Sequence, residues 1–278
     1  MADDVCTRFR ADLHCHSMCS DGSDSPDMLL RKAKEVGLSG LSITDHDTLA
    51  AYTPEIFSLA QELGLKLLPG IECSSEWQGQ TVHVLGYGRN VFSPDLLALV
   101  EKMQERRTRR NRLMVQKLKE KQIDVEEVLS LEGGIASIGR PHIAMAMVQK
   151  GCVQTLQEAF EKYLKEGASC YVSECKLTPP ETIESLRKAG WKAVLAHPHV
   201  IQKQAVLHAL LELPWDGLEC FYSHLPPYKE RAWVRLAKKK GWIPTGGSDY
   251  HGKIRPHVPL GCAWVDESIY NELAGNTN

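Results

Sequence analysis

Histidine and carboxylate side chains recur along this sequence in short clusters of the kind that binds divalent metal ions. The first cluster, DLHCH, carries His14 and His16, and Asp21 follows shortly after it. Alternate side chains of an extended strand point to the same face, so His14 and His16 share one face and Cys15 lies on the other. Two neighbouring imidazoles can hold one metal ion. Taken alone, however, such a pair is more often two ordinary polar residues, and Cys15 is more often a core residue than a ligand.

Five further clusters of His, Asp and Glu each follow or end an apolar run. They are TDHD at 44–47, GIE at 70–72, VHVL at 82–85, AHPH at 196–199 and GSDYH at 247–251. If the strands are parallel, their ends converge on one rim. Imidazoles and carboxylates crowded there would desolvate or repel one another at considerable cost, and divalent cations remove that cost. The six clusters together therefore predict a metal centre, although each alone would not.

The elements that must position these clusters alternate between strand-like and helical patterns. Strands are predicted at 9–14, 38–44, 66–72, 81–87, 192–196, 217–221, 242–246 and 261–265. Helices are predicted at 26–36, 54–63, 180–189 and 227–240, each with a proline near its start, where proline suits the first helical turn. This alternation predicts an α/β fold with parallel strands, arranged as a barrel or as an open sheet.

The segment 93–167 interrupts this alternation. It contains several helical patterns and little that is typical of a strand, and its first pattern begins at Ser93-Pro94-Asp95 and continues to residue 121. We interpret it as a helical subdomain inserted into one discontinuous α/β domain that spans residues 8–275.

Composition limits what the protein can be. With 278 residues, 43% of them hydrophobic and 24% charged, the chain can bury a sizeable core. A net charge of −2 gives no global attraction to nucleic acid or membrane, so an anion-binding surface would have to be local. No apolar run is typical of an export signal or a membrane span, and the nine cysteines have irregular spacing. We therefore expect reduced thiols, a cytoplasmic location, and no membrane or obligate protein partner.

The ordered set of motifs is specific enough to indicate a family. H-x-H followed by D-G, then T-D-H-D, G-I-E, V-H, A-H-P and S-D-x-H, resembles the polymerase and histidinol phosphatase (PHP) family of metal-dependent phosphoesterases, over residues 10–265. Within that family the chain most resembles the branch of nucleoside 3′,5′-bisphosphate phosphatases and a 5′→3′ exoribonuclease. The closer match rests on the insertion, with ERRxxR at 105–110, GRPH at 139–142 and YLKEG at 163–167.

The resemblance implies a distorted seven-stranded β/α barrel that holds two to three metal ions. It implies one ion bound by His14, His16, Glu72 and Asp249, a second bound by His83 and His197 with Glu72 as the bridge, and a third bound by Asp21, His46 and His251. Asp45 and Asp47 look like residues that orient these ligands. The ligand atoms are nitrogen and oxygen, which suit Mn²⁺, Fe²⁺ or Zn²⁺, and the resemblance favours Mn²⁺. The expected nucleophile is a metal-bound hydroxide, with no protein nucleophile.

Basic residues of the insertion suggest a site for a second phosphate. Residues 101–121 contain nine Lys or Arg and three Asp or Glu. Such a run is as often a solvated helix face, but Arg107 and Arg110 are three residues apart and share a face. Arg140 and His142 lie in the second matching motif, and an arginine fork suits a phosphate that is not being hydrolysed. His224 could also reach substrate, although a surface-loop histidine is the simpler interpretation.

The expected reaction is hydrolysis of the 3′ phosphoester of a 5′-phosphorylated nucleotide. The substrate would carry two phosphates, such as 3′-phosphoadenosine 5′-phosphate, or would be a short 5′-phosphorylated RNA degraded from its 5′ end. Two alternatives stay open. A phosphatase for another small ester, such as histidinol phosphate, would use the same metals without the arginines. A non-catalytic, metal-stabilised interaction module is the other, and the complete set of nine ligands argues against it.

Overall fold

The structure is a computed structural model that describes residues 9–133, 136–173 and 177–275. Eight strands lie within these ranges. They are β1 Ala11–Cys15, β2 Gly40–Ile43, β3 Lys66–Leu67, β4 Gly70–Trp77, β5 Gln80–Tyr87, β6 Lys192–Leu195, β7 Gly217–Tyr222 and β8 Ile243–Gly247. They form a parallel sheet in the order β1-β2-β3 and a mixed sheet in the order β4-β5-β6-β7-β8. Isolated bridges, between Cys15 and Tyr250 and between His46 and Glu72, connect the two sheets.

Helices cover these sheets and fill the long connection after β5. They are α1 Pro26–Glu35, α2 Pro54–Glu62, α3 Pro94–Glu120, α4 Arg140–Gln149, α5 Leu156–Ala159, α6 Pro179–Lys188, α7 Gln204–Leu210, α8 Pro227–Lys240 and α9 Glu267–Leu273. The four predicted helices correspond to α1, α2, α6 and α8 and are confirmed to within one residue at each end. None of the helices in the described ranges combines the length and the apolarity that a membrane crossing requires.

The prediction that the strands are parallel is wrong for β5, which runs antiparallel to both of its neighbours. The cause is a two-residue turn. Gln78 and Gly79 have φ angles of 50° and 76°, and two positive φ angles in succession are typical of a tight hairpin. As a result, Glu72 lies near the start of β4 and His83 lies in the middle of β5. The clusters therefore do not all lie at the carboxyl ends of parallel strands.

Two other predicted strands differ from the structure. The strand predicted at 66–72 is divided at Pro69, which has no backbone N–H to donate to a sheet, into the two-residue β3 and the longer β4. The strand predicted at 261–265 is wrong, because only Val265 pairs there, in a single bridge with Ala11. The mixed α/β fold is confirmed. The seven-stranded barrel stays a prediction, since the strands lie in sheets of three and five that isolated bridges connect.

Helix α3 contributes to two separate apolar clusters. Its first half packs into the main core through residues such as Leu96 and Met103. Its second half, through Met114 and Leu118, joins a distinct cluster that includes Ile143 of α4 and continues to residue 172. A rigid helix shared by two cores can hold side chains of the helical segment at a fixed distance from the sheets. The domain bounds 8–275 and 93–167 stay predictions.

Candidate metal centre

Four potential ligand atoms converge beside the end of β1. His14 and His16 are both completely buried. Their Nε2 atoms lie 3.5 and 3.1 Å from Oε2 of Glu72, and 3.4 and 3.2 Å from Oδ1 of Asp249. The four atoms lie within 4.8 Å of one another, which is close enough to surround one cation. Cys15, between the two histidines, is instead buried in the main core.

Glu72 faces a second set of histidines. Its Oε1 lies 2.7 Å from Nδ1 of His83 and 3.1 Å from Nε2 of His197, and those two nitrogens are 3.3 Å apart. Its Oε2 lies 3.0 Å from Nδ1 of His46. One carboxylate therefore has different ring nitrogens at its two oxygens. This arrangement suits a carboxylate that bridges two ions, and the bridging role of Glu72 stays a prediction.

A third group surrounds Asp21, in the loop after β1. Its Oδ1 lies 3.4 Å from Nε2 of His251 and 3.7 Å from Nδ1 of His16, and its Oδ2 lies 3.7 Å from Nε2 of His46. The resemblance implied His46 and His251 for this group, and the structure adds His16, whose two ring nitrogens face different groups. All nine predicted ligands are thus brought together, and their binding of metal stays a prediction.

Several buried polar atoms of this centre make no hydrogen bond within the described residues. They are Nε2 of His14, both ring nitrogens of His16, Nδ1 of His46 and Oε2 of Glu72. A buried polar atom without a partner costs about 1–3 kcal/mol, so these atoms would be unfavourable neighbours on their own. Divalent ions would accept their lone pairs, and nitrogen and oxygen donors suit Mn²⁺, Fe²⁺ and Zn²⁺. The side chains therefore fit a set of bound metal ions.

Electrostatics keep the carboxylates of the centre ionised. Burial by itself raises the pKa values of Asp21, Glu72 and Asp249, but the surrounding histidines, together with Arg255 at Asp249, outweigh burial and lower each pKa well below its usual value. Burial also lowers the pKa of His14, whereas nearby carboxylates outweigh burial and raise that pKa well above its usual value. For His46 burial dominates and lowers the pKa to about 3. His46 is consequently neutral, as a metal ligand must be.

The main chain is strained where two of the predicted ligands lie. His197 and Asp249 have φ angles of 25° and 56°, in a region that non-glycine residues rarely occupy. Hydrogen bonds hold both: the N–H of Asp249 donates to the carbonyl of His14 at 2.8 Å, and the N–H of His197 donates to Glu219 at 2.7 Å. Such strain costs about 1–3 kcal/mol per residue and is concentrated at functional sites, where surrounding structure stabilises it.

Glu219, on β7, supports the centre and was not singled out from the sequence. It is completely buried, and its Oε1 lies 2.8 Å from Nδ1 of His14 while its Oε2 accepts the backbone N–H of His197. A carboxylate that binds one ring nitrogen of a histidine fixes the tautomer and leaves the other nitrogen available to a metal. The only signal in the sequence was one acidic residue within the apolar run 217–221, which by itself indicates no particular role.

Glu219→Gln should weaken Mn²⁺ binding by about 10- to 100-fold, the usual effect of removing such a supporting carboxylate. The amide keeps the shape of the side chain, but its NH₂ must face a donor, either at His14 or at the backbone N–H of His197. Calorimetric titration of the metal-free protein with Mn²⁺ measures the change. Glu212→Gln, which alters an exposed surface pair with Lys240, is the matched control. Equal affinities in the two variants would contradict the supporting role.

A cavity of about 140 Å³ opens beside the metal centre and is lined by four arginines, Arg107, Arg110, Arg140 and Arg255. Asp21 also lines it. A second cavity of about 260 Å³ is lined by residues of the centre itself, and it shares His46, His83 and Arg255 with the first. The two cavities therefore adjoin, one lined by potential metal ligands and the other by arginines.

Arg107 is largely committed to contacts within the protein. Its guanidinium donates two hydrogen bonds to Oδ2 of Asp47, at 2.8 and 2.5 Å, and one to the hydroxyl of Ser74 at 2.8 Å. Asp47 directly follows His46 and also accepts the N–H of Ser74. The ion pair therefore ties helix α3 to the chain beside the metal centre. A direct role of Arg107 in substrate binding stays a prediction.

Arg110 and Arg140 have more freedom to bind an anion. Arg110 is only 6% exposed, and its Nε has no hydrogen-bond partner among the described residues. Burial, together with the charges of Arg107 and Arg140, lowers the pKa of Arg110 to about 9. Arg140 lies over the ring of Tyr171, at 5.6 Å from its centroid. Buried guanidinium groups that repel one another favour a bound anion, which would compensate their charge.

His142 and His224, which were also predicted to bind substrate, are not part of the described lining of either cavity. Nδ1 of His142 accepts the backbone N–H of Gly139 at 2.9 Å, a contact that caps the start of α4. His224 is exposed, and its Nε2 lies 2.9 Å from the carbonyl oxygen of His257. The contacts of both residues are structural, and their roles in binding stay predictions.

Comparison with known proteins finds relatives along most of the chain. A sequence profile described as the PHP domain matches residues 12–172. The chain is 31% identical to the 5′-3′ exoribonuclease Rnm of Escherichia coli K12, over 92% of its own length and 87% of the relative. It is 32% identical to a phosphoribosyl 1,2-cyclic phosphate 1,2-diphosphodiesterase of Eggerthella lenta, over 89% and 97% of the two chains. It is also 32% identical to a 3′,5′-nucleoside bisphosphate phosphatase of Chromobacterium violaceum, over 86% of each.

The fold has a similar counterpart among solved structures. A protein of Bifidobacterium adolescentis described as a metal-dependent phosphoesterase superposes with a TM-score of 0.84 and 30% identity, over 96% of each chain. The similarity extends over nearly the whole chain in both sequence and fold. It therefore includes the helical segment after β5 as well as the sheets.

Proposed function

The chain belongs to the PHP family of metal-dependent phosphoesterases, as its motifs predicted, and we propose that it hydrolyses the 3′ phosphoester of 5′-phosphorylated nucleotides. The relatives named as a 5′-3′ exoribonuclease and as a 3′,5′-nucleoside bisphosphate phosphatase support this substrate class. The observation that carries the proposal is the arginine-lined cavity directly beside the metal centre. It offers a place for a phosphate that is not hydrolysed.

The nine residues of the centre are proposed to bind about two to three divalent ions, in keeping with the three adjoining ligand groups. Among the metals that suit nitrogen and oxygen ligands, Mn²⁺ is proposed over Fe²⁺ or Zn²⁺. When bound, such ions lower the pKa of water toward neutrality and neutralise charge on the phosphoryl oxygens. The protein holds the ligands in place. Glu219 orients the ring of His14, and Tyr222 binds the oxygen of Asp249 that points away from His14 and His16.

The helical insertion, proposed to span 93–167, supplies specificity in this scheme. Arg110 and Arg140 are proposed to bind the second phosphate, since Arg110 has a free buried Nε and both line the cavity. Arg107 is proposed to have a structural role instead. Its ion pair with Asp47 holds the insertion next to His46, so that the distance between the two phosphate sites is fixed by the protein.

A nucleotide with two phosphates should therefore be the better substrate. We expect adenosine 3′,5′-bisphosphate to exceed adenosine 3′-monophosphate in kcat/KM by about tenfold or more, because hydrogen bonds between charged groups contribute roughly 1.5–3 kcal/mol. Arg110→Met, which keeps an unbranched side chain but removes the guanidinium, should remove most of this preference and spare the monophosphate. Arg109→Ala is the matched control, since Arg109 is exposed on the other face of the helix. Steady-state assays of phosphate release measure kcat/KM for both esters in the wild type and in each variant. A wild-type preference in Arg110→Met would contradict the proposed phosphate site.

The same assay separates the proposed substrate from its alternatives. A 5′-phosphorylated oligonucleotide should be shortened stepwise from that end, while the 5′-hydroxyl version should resist, since each step hydrolyses the 3′ bond of a 5′-phosphorylated nucleotide. A small ester such as histidinol phosphate does not need the arginines. If it were the preferred substrate, Arg110→Met would leave its turnover unchanged.

A further inference from the structure

Arg255 lies at the border between the two cavities. It follows the short helical turn Gly252–Ile254 after β8, and 43% of its side chain is exposed. Three of the described residues line both cavities. Two of them, His46 and His83, are predicted metal ligands, and the other is Arg255. The border therefore has one arginine, and it belongs to the α/β body of the protein rather than to the helical insertion.

Only one part of the Arg255 guanidinium is occupied by a protein contact. Its Nη1 donates to Oδ2 of Asp249 at 2.5 Å, and the same oxygen accepts the hydroxyl of Tyr222 at 2.6 Å. The other oxygen of Asp249 faces His14 and His16. A guanidinium has five N–H donors, and in the part of the chain that the structure describes no other hydrogen bond of this group is found. Most of its donors are therefore available to a ligand.

The position of these donors indicates which ligand they would bind. A phosphate that reacts must lie over the metal centre, in the cavity bordered by Glu72, His197 and Asp249. A second phosphate would lie in the arginine cavity. A side chain at the border, anchored to Asp249, reaches the first phosphate on the side that faces the second. Arginine presents parallel donors that match two phosphate oxygens, whereas lysine offers one point charge.

We propose that Arg255 is a catalytic residue that donates hydrogen bonds to the non-bridging oxygens of the phosphate being hydrolysed. The proposal rests on the phosphoesterase function proposed above and adds a residue outside the helical insertion. It assigns the two sets of arginines to different phosphates. Arg110 and Arg140 of the insertion distinguish bisphosphates from monophosphates, while Arg255 acts on the phosphate that all substrates share.

Inorganic phosphate is the probe that tests this contact independently of turnover. Calorimetric titration of the manganese-loaded protein should show phosphate binding weakened by about 10- to 100-fold in Arg255→Ala, the range for a lost hydrogen bond between charged groups. Arg255→Lys should recover part of it. Lys253→Ala, an exposed cation two residues away, should bind phosphate as the wild type does. In steady-state assays Arg255→Ala should lower kcat/KM for the bisphosphate and the monophosphate by the same factor, so that the preference between them is unchanged.

If Arg255 only positioned Asp249 and did not contact phosphate, the variants should behave differently. Tyr222→Phe removes the other hydrogen bond to the same oxygen without removing a cation, so it should shift the Mn²⁺ requirement while keeping phosphate affinity. If Arg255→Ala behaves like Tyr222→Phe, or binds phosphate as tightly as the wild type, the proposal is wrong. Failure of the wild type to hydrolyse either ester would instead contradict the proposed function, and the phosphate titration would still decide the contact of Arg255.

Discussion

Removal of divalent metal by a chelator should lower turnover of a 3′ phosphate ester by at least about a thousandfold, and added Mn²⁺ should restore it. The size of the effect follows from the chemistry of clustered ions, which contribute several kcal/mol to phosphoryl transfer, each 1.4 kcal/mol being tenfold in rate. The thiols of Cys15 and Cys73 are not placed as substitute nucleophiles, since both residues are buried in the main core. Elemental analysis of gently purified protein should show about two to three equivalents, one for each ligand group.

The concentration of Mn²⁺ that restores activity should depend on pH in one direction. Burial alone lowers the pKa of His16, but the nearby carboxylates of Asp249, Glu72 and Asp21 raise it to about 10 in the metal-free protein. Mn²⁺ must displace protons from such rings, so the concentration of Mn²⁺ that restores half of the activity should increase as the pH is lowered. Fully active protein that contains less than one equivalent of metal would contradict a centre with several ions.

The sequence predicted which side chains come together better than it predicted the fold that assembles them. Imidazoles and carboxylates at the ends of apolar runs predict a metal site whichever way the strands run, so the predicted set included Glu72 and His83, and the structure brings these two side chains together although β5 is antiparallel. The direction of β5 depends on a two-residue turn at Gln78 and Gly79. That turn has no strong hairpin signature, and a parallel arrangement was the more general expectation for alternating elements.

The supporting residues could not be predicted because their roles depend on distant neighbours. Glu219 becomes a partner of His14 only when β7 lies beside the centre, a contact across 205 positions of sequence. Arg107 shared a helix face with Arg110, and that spacing indicated a common phosphate site. The structure shows that Asp47 pairs with Arg107. The spacing of residues along a helix specifies which side chains share a face, whereas the nearest opposite charge to each side chain depends on the tertiary fold.

Glu72→Ala should reduce turnover more than any other single replacement considered for this protein, by about a thousandfold or more. Glu72 is 1% exposed, and its two oxygens face ring nitrogens of five histidines. Without Glu72, each ligand group that shares it would lose an anionic ligand. The bound ions would then stabilise the transition state less, by several kcal/mol. Glu72→Gln keeps the size of the side chain and should show a similar loss, because a neutral amide cannot replace the charge.

Cys15→Ala is the matched control for this experiment. Cys15 lies between His14 and His16, is completely buried, and has its thiol against the carbonyl oxygen of Ser42 rather than in the centre. Its replacement should lower the free energy of unfolding by about 1 kcal/mol, as is usual for a small change in a core, and leave kcat of the folded protein near the wild-type value. Circular dichroism establishes that each variant is folded, and kcat at saturating Mn²⁺ compares them. If folded Glu72→Ala keeps turnover within tenfold of the wild type while Cys15→Ala does not, the carboxylate lies outside the catalytic centre and the ligand assignment is wrong.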